Sequence, residues 1–217
     1  MIRILLAHSD DASRQHLRRL IERQCDWRVC AEADCGEKAI QLAIDERPDV
    51  VILDIALTGV NAIETARQVK QARNENEILV LTPIEADDVM RDLLRVGVKA
   101  SLLNDQIDQH LTAAVDALSR HRPYLNASVA RTILSSFLAS DGGRKHGPSG
   151  YGRLTNRERE IFQLFAEGRG NSAISDLLAI RVKTVQTHRT RIMKKLGLGS
   201  VAELVRYAIR HGLVHPL

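Results

Sequence analysis

The sequence has few aromatic residues and no long apolar run, and both shortages exclude classes of protein. Aromatic residues make up 3% of the 217 residues. No apolar run approaches the roughly 18 residues that a membrane-spanning helix needs. The segment Met1–Ala7 is too short, and interrupted too soon, to serve as a secretion signal. We therefore expect a cytoplasmic protein with no membrane partner.

Cysteine is also scarce. Cys25, Cys30 and Cys35 are an odd number in a chain without an export signal, so a disulfide framework is not expected. Their five-residue spacing matches no zinc-binding pattern, and no histidine cluster lies nearby. We interpret them as reduced thiols that contribute to packing, and we expect no metal site among them.

The charge is divided unevenly along the chain. The formal net charge of the whole chain is +4. Residues 1–122 contain 16 basic and 21 acidic residues, and residues 123–217 contain 15 basic and 6 acidic residues. The two parts carry net charges of −5 and +9. This asymmetry predicts two domains, the second of which has nucleic acid or another anionic partner.

Short apolar runs alternate with amphipathic segments through the first 120 residues. The runs predict strands at Ile2–Ala7, Trp27–Ala33, Val50–Asp54, Ile78–Thr82 and Ala100–Leu103. The amphipathic segments predict helices at Ser13–Arg23, Glu37–Glu46, Ala62–Ala72, Asp87–Val96 and Asp105–Arg120. Five strand–helix units in series predict an α/β domain with a doubly wound, five-stranded parallel sheet. Ligands of such sheets bind at the carboxyl ends of the strands.

The remaining sequence predicts a linker and an all-α domain. We divide the chain into a domain at residues 1–122, a linker at 123–152 and a domain at 153–217. The linker combines a helix at Asn126–Ala139 with a flexible segment at Ser140–Gly152, which is rich in glycine and serine. Thr155 and Glu158 form a capping-box pattern that opens the first of four helices, which ends at Gly168. The others are predicted near Asn171–Leu178, Val182–Leu196 and Val201–His211.

The third of these helices, Val182–Leu196, has five basic residues and no acidic residue. At about 100° per residue, Val185, Ile192 and Leu196 lie on one side and are expected to pack inward. The remaining surface predicts contacts with double-stranded DNA through Lys183, Thr184, Gln186, Thr187, Thr190, Arg191 and Lys194. With the short helix before it, this segment indicates a helix-turn-helix. The alternative is a solvated basic face on a bundle helix.

Residues Leu154–Ile209 resemble the LuxR-type helix-turn-helix through LTNREREIFQLFAEG, KTVQTHRTRIMKKLGL and AELVRYAI. The resemblance implies that Gln186, Thr187 and Thr190 read the major groove. It also implies a homodimer, with an interface on the last helix at Val201, Leu204, Val205 and Ala208, although the same stripe could simply be core. Gly170 and Arg181 depart from the family, which usually has serine at both positions.

The first domain resembles the receiver domain of response regulators, because Asp54 ends the third strand, Thr82 ends the fourth and Asn104 follows the fifth. Together with the LuxR-type segment, it is similar to the NarL/FixJ subfamily over essentially the whole chain. The resemblance implies that Asp54 is the candidate phosphoacceptor and that Thr82 and Ser101 are the switch positions. It also implies a sensor kinase or another regulatory protein as a partner.

The receiver pocket departs from this pattern. The family places an acidic pair after the first strand and a lysine after the fifth, where this sequence has His8, Ser9 and Asn104. Asp10 and Asp11 are better placed to cap the first helix than to bind a metal ion. We therefore expect no Mg²⁺ and no other cofactor, with weak or absent phosphorylation of Asp54. The alternative is a conventional phospho-activated regulator in which Asp10 or Asp11 holds Mg²⁺ in a rearranged site.

Other functions fit the sequence less well. A phosphatase that uses Asp54 as its nucleophile would need an acid two residues later, where Ala56 stands, so we do not expect an enzyme. A protein-binding adapter would leave the basic helix unexplained. A flavodoxin-like cofactor site would need a phosphate-binding loop after the first strand, where Asp10 and Asp11 would repel phosphate.

Overall fold

The computed structural model describes residues 1–83, 87–124, 150–211 and 213–214. The predicted helix at Asn126–Ala139 and most of the predicted flexible linker lie outside these residues. No helix in the described ranges combines the length and the apolarity that crossing a bilayer requires.

The N-terminal domain has the predicted doubly wound sheet. Its five parallel strands are β1 (Ile2–Ala7), β2 (Trp27–Ala33), β3 (Val50–Asp54), β4 (Glu77–Thr82) and β5 (Ala100–Leu103), in the order β2-β1-β3-β4-β5. Its helices are α1 (Asp11–Ile21), α2 (Gly36–Glu46), α3 (Ala62–Ala72), α4 (Asp87–Arg95) and α5 (Ile107–Ser119). A 3₁₀ turn at Asn104–Gln106 precedes α5, where the sequence predicted continuous helix. The α/β fold class is therefore confirmed.

The central strands are covered on both faces, which explains their continuous apolar runs. All five residues of β3 and all six of β4 are buried. On one face, Val51 and Leu53 belong to an apolar cluster with residues of α2, α3 and α4. On the other face, Ile52 belongs to a cluster with residues of α1 and α5. This packing fixes the strand register and brings the carboxyl ends of the strands to one edge.

The C-terminal part is helical, as predicted. It contains α6 (Asn156–Ala166), α7 (Asn171–Leu177), α8 (Val182–Leu196) and α9 (Val201–Arg210). Thr155 and Glu158 form the predicted capping box at the start of α6. Gly197 adopts a left-handed conformation (φ 69°) that ends α8. Fully buried core side chains come from all four helices, among them Phe162, Ile174, Val185, Ile192 and Leu204.

The predicted flexible linker extends too far toward the C-terminus. Residues Gly150–Arg153 form a 3₁₀ turn, and the side chain of Tyr151 is fully buried. The Tyr151 ring contacts the edge of Phe162, with the ring centroids 5.2 Å apart. A single aromatic residue in a glycine-rich stretch has no periodicity, so pattern analysis could not detect this burial.

The apolar stripe on α9 also needs a correction. Leu204 and Ala208 are fully buried within the single chain, so they belong to the domain core and not to an exposed dimer surface. Val201 and Val205 are half-buried and remain available for contacts with another chain.

At the opposite end of the sheet from the carboxyl edge, Glu77 is a buried carboxylate surrounded by cations. Lys99 Nζ donates to its Oε1 at 2.6 Å, His121 Nδ1 lies 2.9 Å from the same oxygen, and Lys70 Nζ lies 3.6 Å from Oε2. Burial alone would raise the pKa of Glu77, but the hydrogen bonds from Lys99 and His121 and the charge of Lys70 outweigh it and lower the pKa. The cluster joins β4 to the segment after α5.

We predict that Glu77→Gln lowers the free energy of unfolding at neutral pH by about 2 kcal/mol, because it removes a buried charge-assisted pair. Since the pKa of Glu77 is lowered by folding, its contribution is present above the usual value of 4.5 and is lost as the pH falls below it. Urea unfolding at several pH values should therefore show that the variant loses less stability than the wild type as the pH falls below 4.5. Glu75→Gln, at an exposed pair with Arg73, is the control and should change stability by less than about 0.5 kcal/mol. Equal effects of the two variants would contradict the prediction.

Candidate functional site

Asp54 lies at the carboxyl end of β3 and is fully buried. Oδ2 of Asp54 lies 3.8 Å from Nε2 of His8, the first residue after β1. The backbone N–H of Asp10 donates to Nδ1 of His8 at 3.1 Å. With Nδ1 acting as an acceptor, the neutral ring carries its proton on Nε2, the nitrogen that faces Asp54. The imidazole therefore presents a donor, not a lone pair, to the candidate phosphoacceptor.

The other residues of the β1–α1 loop are used for local structure. Ser9 Oγ accepts a hydrogen bond from the backbone N–H of Thr58 at 3.2 Å, which joins this loop to the loop after β3. Asp10 caps α1 by accepting from the N–H of Ser13 at 2.7 Å, and Asp11 pairs with Arg14 in the first turn. The predicted capping role is therefore observed for Asp10, whereas Asp11 lies in the first turn and pairs with side chains of the same helix.

These residues do not fit a magnesium ion. Mg²⁺ prefers hard oxygen ligands, and the imidazole of His8 stands beside Asp54 where a second carboxylate would be needed. Within the described ranges, no three His, Cys, Asp or Glu side chains are grouped so that they could hold a metal ion. Asn104 is exposed, opens the 3₁₀ turn and carries no positive charge for a phosphoryl group. Among the described residues, the positions of the acidic pair and the lysine are therefore occupied by His8, Ser9 and Asn104.

The two candidate switch positions lie on neighbouring strands. Thr82 is buried at the end of β4, in register with Leu103 of β5. Ser101 is buried on β5, and its hydroxyl donates to Sδ of Met90 on α4 at 3.7 Å. A side-chain contact therefore links β5 to α4.

The basic helix α8 presents the predicted surface. All seven candidate DNA-contacting residues are exposed, whereas Val185 and Ile192 are buried against the neighbouring helices. The hydroxyls of Thr187 and Thr190 donate to the carbonyls of Lys183 and Gln186, at 2.9 and 3.1 Å, which leaves their oxygens able to accept from a donor outside the helix. The surface combines polar groups suited to base edges with cations suited to phosphates.

One of the five cations of α8 has a structural role that the sequence did not indicate. Lys195 is half-buried and pairs with Glu158, the capping-box glutamate of α6. Burial would raise the pKa of Glu158, but hydrogen bonds from Lys195 and Thr155 outweigh it and lower the pKa. The neighbouring Lys194 is exposed and belongs to the candidate DNA surface.

The N-termini of α7 and α8 lack a side-chain cap. Gly170 and Arg181 occupy the N-cap positions; glycine has no side chain and a guanidinium has no acceptor, so neither residue can cap the first turn. Serine at either position would supply that acceptor.

Comparison with known proteins identifies the family. Residues 4–116 match the response regulator receiver domain, and residues 153–208 match the bacterial regulatory proteins of the luxR family. The transcriptional regulatory protein LiaR of Bacillus subtilis (strain 168) is 34% identical over 215 residues, which cover 99% of this chain and all of LiaR. The chain is a NarL/FixJ-type response regulator. It is a DNA-binding protein of the two-component type and not an enzyme.

Other relatives also align with this chain over nearly their whole length. The oxygen regulatory protein NreC of Staphylococcus aureus (strain JH9) is 29% identical over 215 residues, which cover 98% of this response regulator and 99% of NreC. RcsB of Salmonella enterica serovar Typhimurium, solved bound to the promoter rprA with the phosphomimetic BeF₃⁻, has the same fold with a TM-score of 0.65. The two are 22% identical, and the comparison covers 95% of this chain and 97% of that one.

We predict that the two adjacent lysines of this response regulator differ in their effect on DNA binding. Lys194→Ala should weaken binding to specific and random duplexes alike. It should also reduce the slope of log affinity against log salt concentration by about one, because one phosphate contact is lost. Lys195→Ala should leave the salt dependence unchanged and lower thermal stability, because Lys195 pairs with Glu158. Fluorescence anisotropy at several salt concentrations measures the first effect, and thermal unfolding measures the second.

Within the same assay, Gln186→Ala and Thr190→Ala should weaken binding to the specific duplex by about 1–3 kcal/mol and leave binding to random DNA nearly unchanged. Equal losses on both duplexes for these variants would mean that the groove-facing side of α8 is misassigned.

We predict that Arg181→Ser stabilises the protein by about 1 kcal/mol, because serine would cap the N-terminus of α8. Chemical denaturation measures this gain, and Arg181→Ala provides the control without a capping oxygen. If the Arg181→Ser and Arg181→Ala variants have the same free energy of unfolding, the missing cap of α8 does not lower the stability of the protein.

Proposed function

We propose that this response regulator controls transcription as a dimer on double-stranded DNA, with weak or no phosphorylation of Asp54 and without Mg²⁺. The observation that carries the proposal is the buried pair of His8 and Asp54, in which an imidazole N–H faces the candidate phosphoacceptor at 3.8 Å. The receiver then acts through contacts with a sensor kinase or another regulatory protein, not through a phosphoryl switch.

The physical argument concerns charge in the transition state. Phosphoryl transfer to a carboxylate places negative charge on the phosphoryl oxygens, and Mg²⁺ and a nearby cation normally stabilise that charge. Here Asp54 is fully buried beside the imidazole of His8, where the family has a carboxylate, and the position that would carry a lysine is the exposed Asn104. Transfer to Asp54 would therefore place added negative charge where little compensates it.

DNA binding and dimerisation are supported by the relatives and by the exposed surfaces. RcsB has been solved in complexes with DNA, one of which contains two RcsB dimers on two parallel DNAs. In this chain, α8 presents its polar and basic surface outward, and α9 carries the half-buried Val201 and Val205 and the exposed Ile209. We propose α8 for base and phosphate contacts, and the outer face of α9 for the contact between two chains.

We predict that incubation with acetyl phosphate and Mg²⁺ leaves most of the protein unmodified, as measured by intact-protein mass. The positive control restores the family pocket with His8→Asp, Ser9→Asp and Asn104→Lys together. Because the strands and loops already hold these positions at one edge, the restored variant should gain a phosphoryl group that Asp54→Asn abolishes. Phosphorylation of most of the wild-type protein would contradict the proposal and favour the conventional regulator with a rearranged Mg²⁺ site.

Selection of DNA sequences by untreated protein and by protein exposed to acetyl phosphate tests DNA binding and phospho-independence together. The proposal expects the same enriched, two-fold related site from both samples. Enrichment only after treatment would show that phosphorylation is needed, and no enrichment in either sample would contradict sequence-specific binding.

A further inference from the structure

A basic cleft lies between the receiver and the DNA-binding domain, away from Asp54. It has a volume of about 410 Å³ and is lined by Arg67, Asp92, Arg95, Val96, Gly152 and Arg159. Asn156 of α6 joins its two sides, since its Nδ2 donates to Glu64 Oε1 at 3.2 Å and its Oδ1 accepts from Arg67 at 3.0 Å. The cleft is thus bordered by α3 and α4 on one side and by the Gly150–Arg153 turn and α6 on the other.

Arg159 is the unusual residue of this cleft. It is 6% exposed, and within the described residues it forms no ion pair of 4.0 Å or less, unlike the nearby Arg67, Arg95 and Arg157. Its Nη2 donates to the carbonyl of Gly152 at 3.4 Å, and its guanidinium carbon lies 5.6 Å from the centroid of the Tyr151 ring. Its Nε is buried and has no acceptor among the residues that the structure describes. A buried arginine normally has an anionic partner, because an uncompensated buried charge is costly.

The acidic residues around the cleft have other partners. Asp92 pairs with Arg95 at 3.3 Å and packs closely against Gly152, where a Cβ atom would come within 2.4 Å of Asp92 Oδ1. Glu64 pairs with Arg67 on the same helix. The lining thus contains three arginines, of which Arg67 and Arg95 each pair with an acid while Arg159 has no such pair among the described residues.

We propose that this cleft binds a small molecule that carries a phosphate monoester, with Arg159 as the main phosphate ligand. Arg159 lines the cleft, and its planar guanidinium carries more N–H donors than the carbonyl of Gly152 accepts, so donors remain for an anion in the cleft. The side chains of Arg67 and Arg95 complete the charge around the anion. The volume exceeds that of one phosphate and is sufficient for a small organic group attached to it.

Binding at this position would contact both domains at once. The ligand would therefore stabilise the docked arrangement of the receiver and the DNA-binding domain, and would supply a chemical input that does not pass through Asp54. This role is separate from the function proposed above, because none of the cleft residues belongs to the receiver pocket or to α8.

Isothermal titration of the full-length protein tests the proposal, with inorganic phosphate and ribose 5-phosphate as probes. The buffer contains EDTA and chloride that matches the ionic strength of each probe, and ribose is the uncharged control. We expect one ribose 5-phosphate per chain, weaker binding of inorganic phosphate and none of ribose. Arg159→Gln should weaken ribose 5-phosphate binding about ten-fold or more, since a charge-assisted hydrogen bond is lost.

Four further variants keep the test specific. Arg95→Gln removes a half-exposed cleft arginine and should also weaken binding, so the test does not depend on the folding of the buried Arg159 variant. Arg157→Gln changes an arginine of α6 that pairs with Glu160 and does not line the cleft, and it should bind like the wild type. Asp54→Asn and Lys194→Ala should also retain binding.

No heat of binding for either phosphate probe at millimolar concentration would overturn the proposal. Equal losses in Arg157→Gln and Arg95→Gln would assign the effect to general positive charge, and loss in Lys194→Ala or Asp54→Asn would assign it to the DNA surface or the receiver pocket. Each of these results contradicts a phosphate site at the domain junction.

Discussion

The arrangement of the receiver depends on one constraint, the burial of the central parallel strands on both faces. Because β3 and β4 have no solvent-facing side, their polar residues are confined to the strand ends. Asp54 and Thr82 end their strands and His8 follows β1, so the register of the sheet brings them to one edge. The chemistry available there is set by a few loop positions, and changes at those positions leave the fold intact.

The fold could be predicted from the sequence because its strands and helices produce repeated patterns of apolar and polar residues. The apolar runs of β1 and β3 and the amphipathic spacing of α3 matched the structure to the residue, since burial imposes those patterns directly. The 3₁₀ turn at Asn104–Gln106 was missed because it occupies one turn at the start of a helical pattern. The burial of Tyr151 was missed because a single side chain has no period to detect.

The candidate site was predictable in its positions and less so in its interactions. Alignment on the family pattern placed His8 in the pocket, but the orientation of its ring is set by a hydrogen bond from the Asp10 backbone that no residue type reveals. In the same way, the basic character of α8 was evident, whereas the assignment of Lys195 to Glu158 depends on how two helices cross. Long-range pairs of this kind follow from tertiary packing and not from spacing.

The capping box at Thr155 and Glu158 has a wider consequence than the start of one helix. The same carboxylate that accepts from the Thr155 backbone also holds Lys195 near the end of α8. The orientation of α8, the helix proposed to contact DNA, is therefore tied to a motif at the start of another helix. If α8 contacts DNA as proposed, a substitution at residue 158 changes DNA recognition indirectly, through the way in which α6 and α8 are joined.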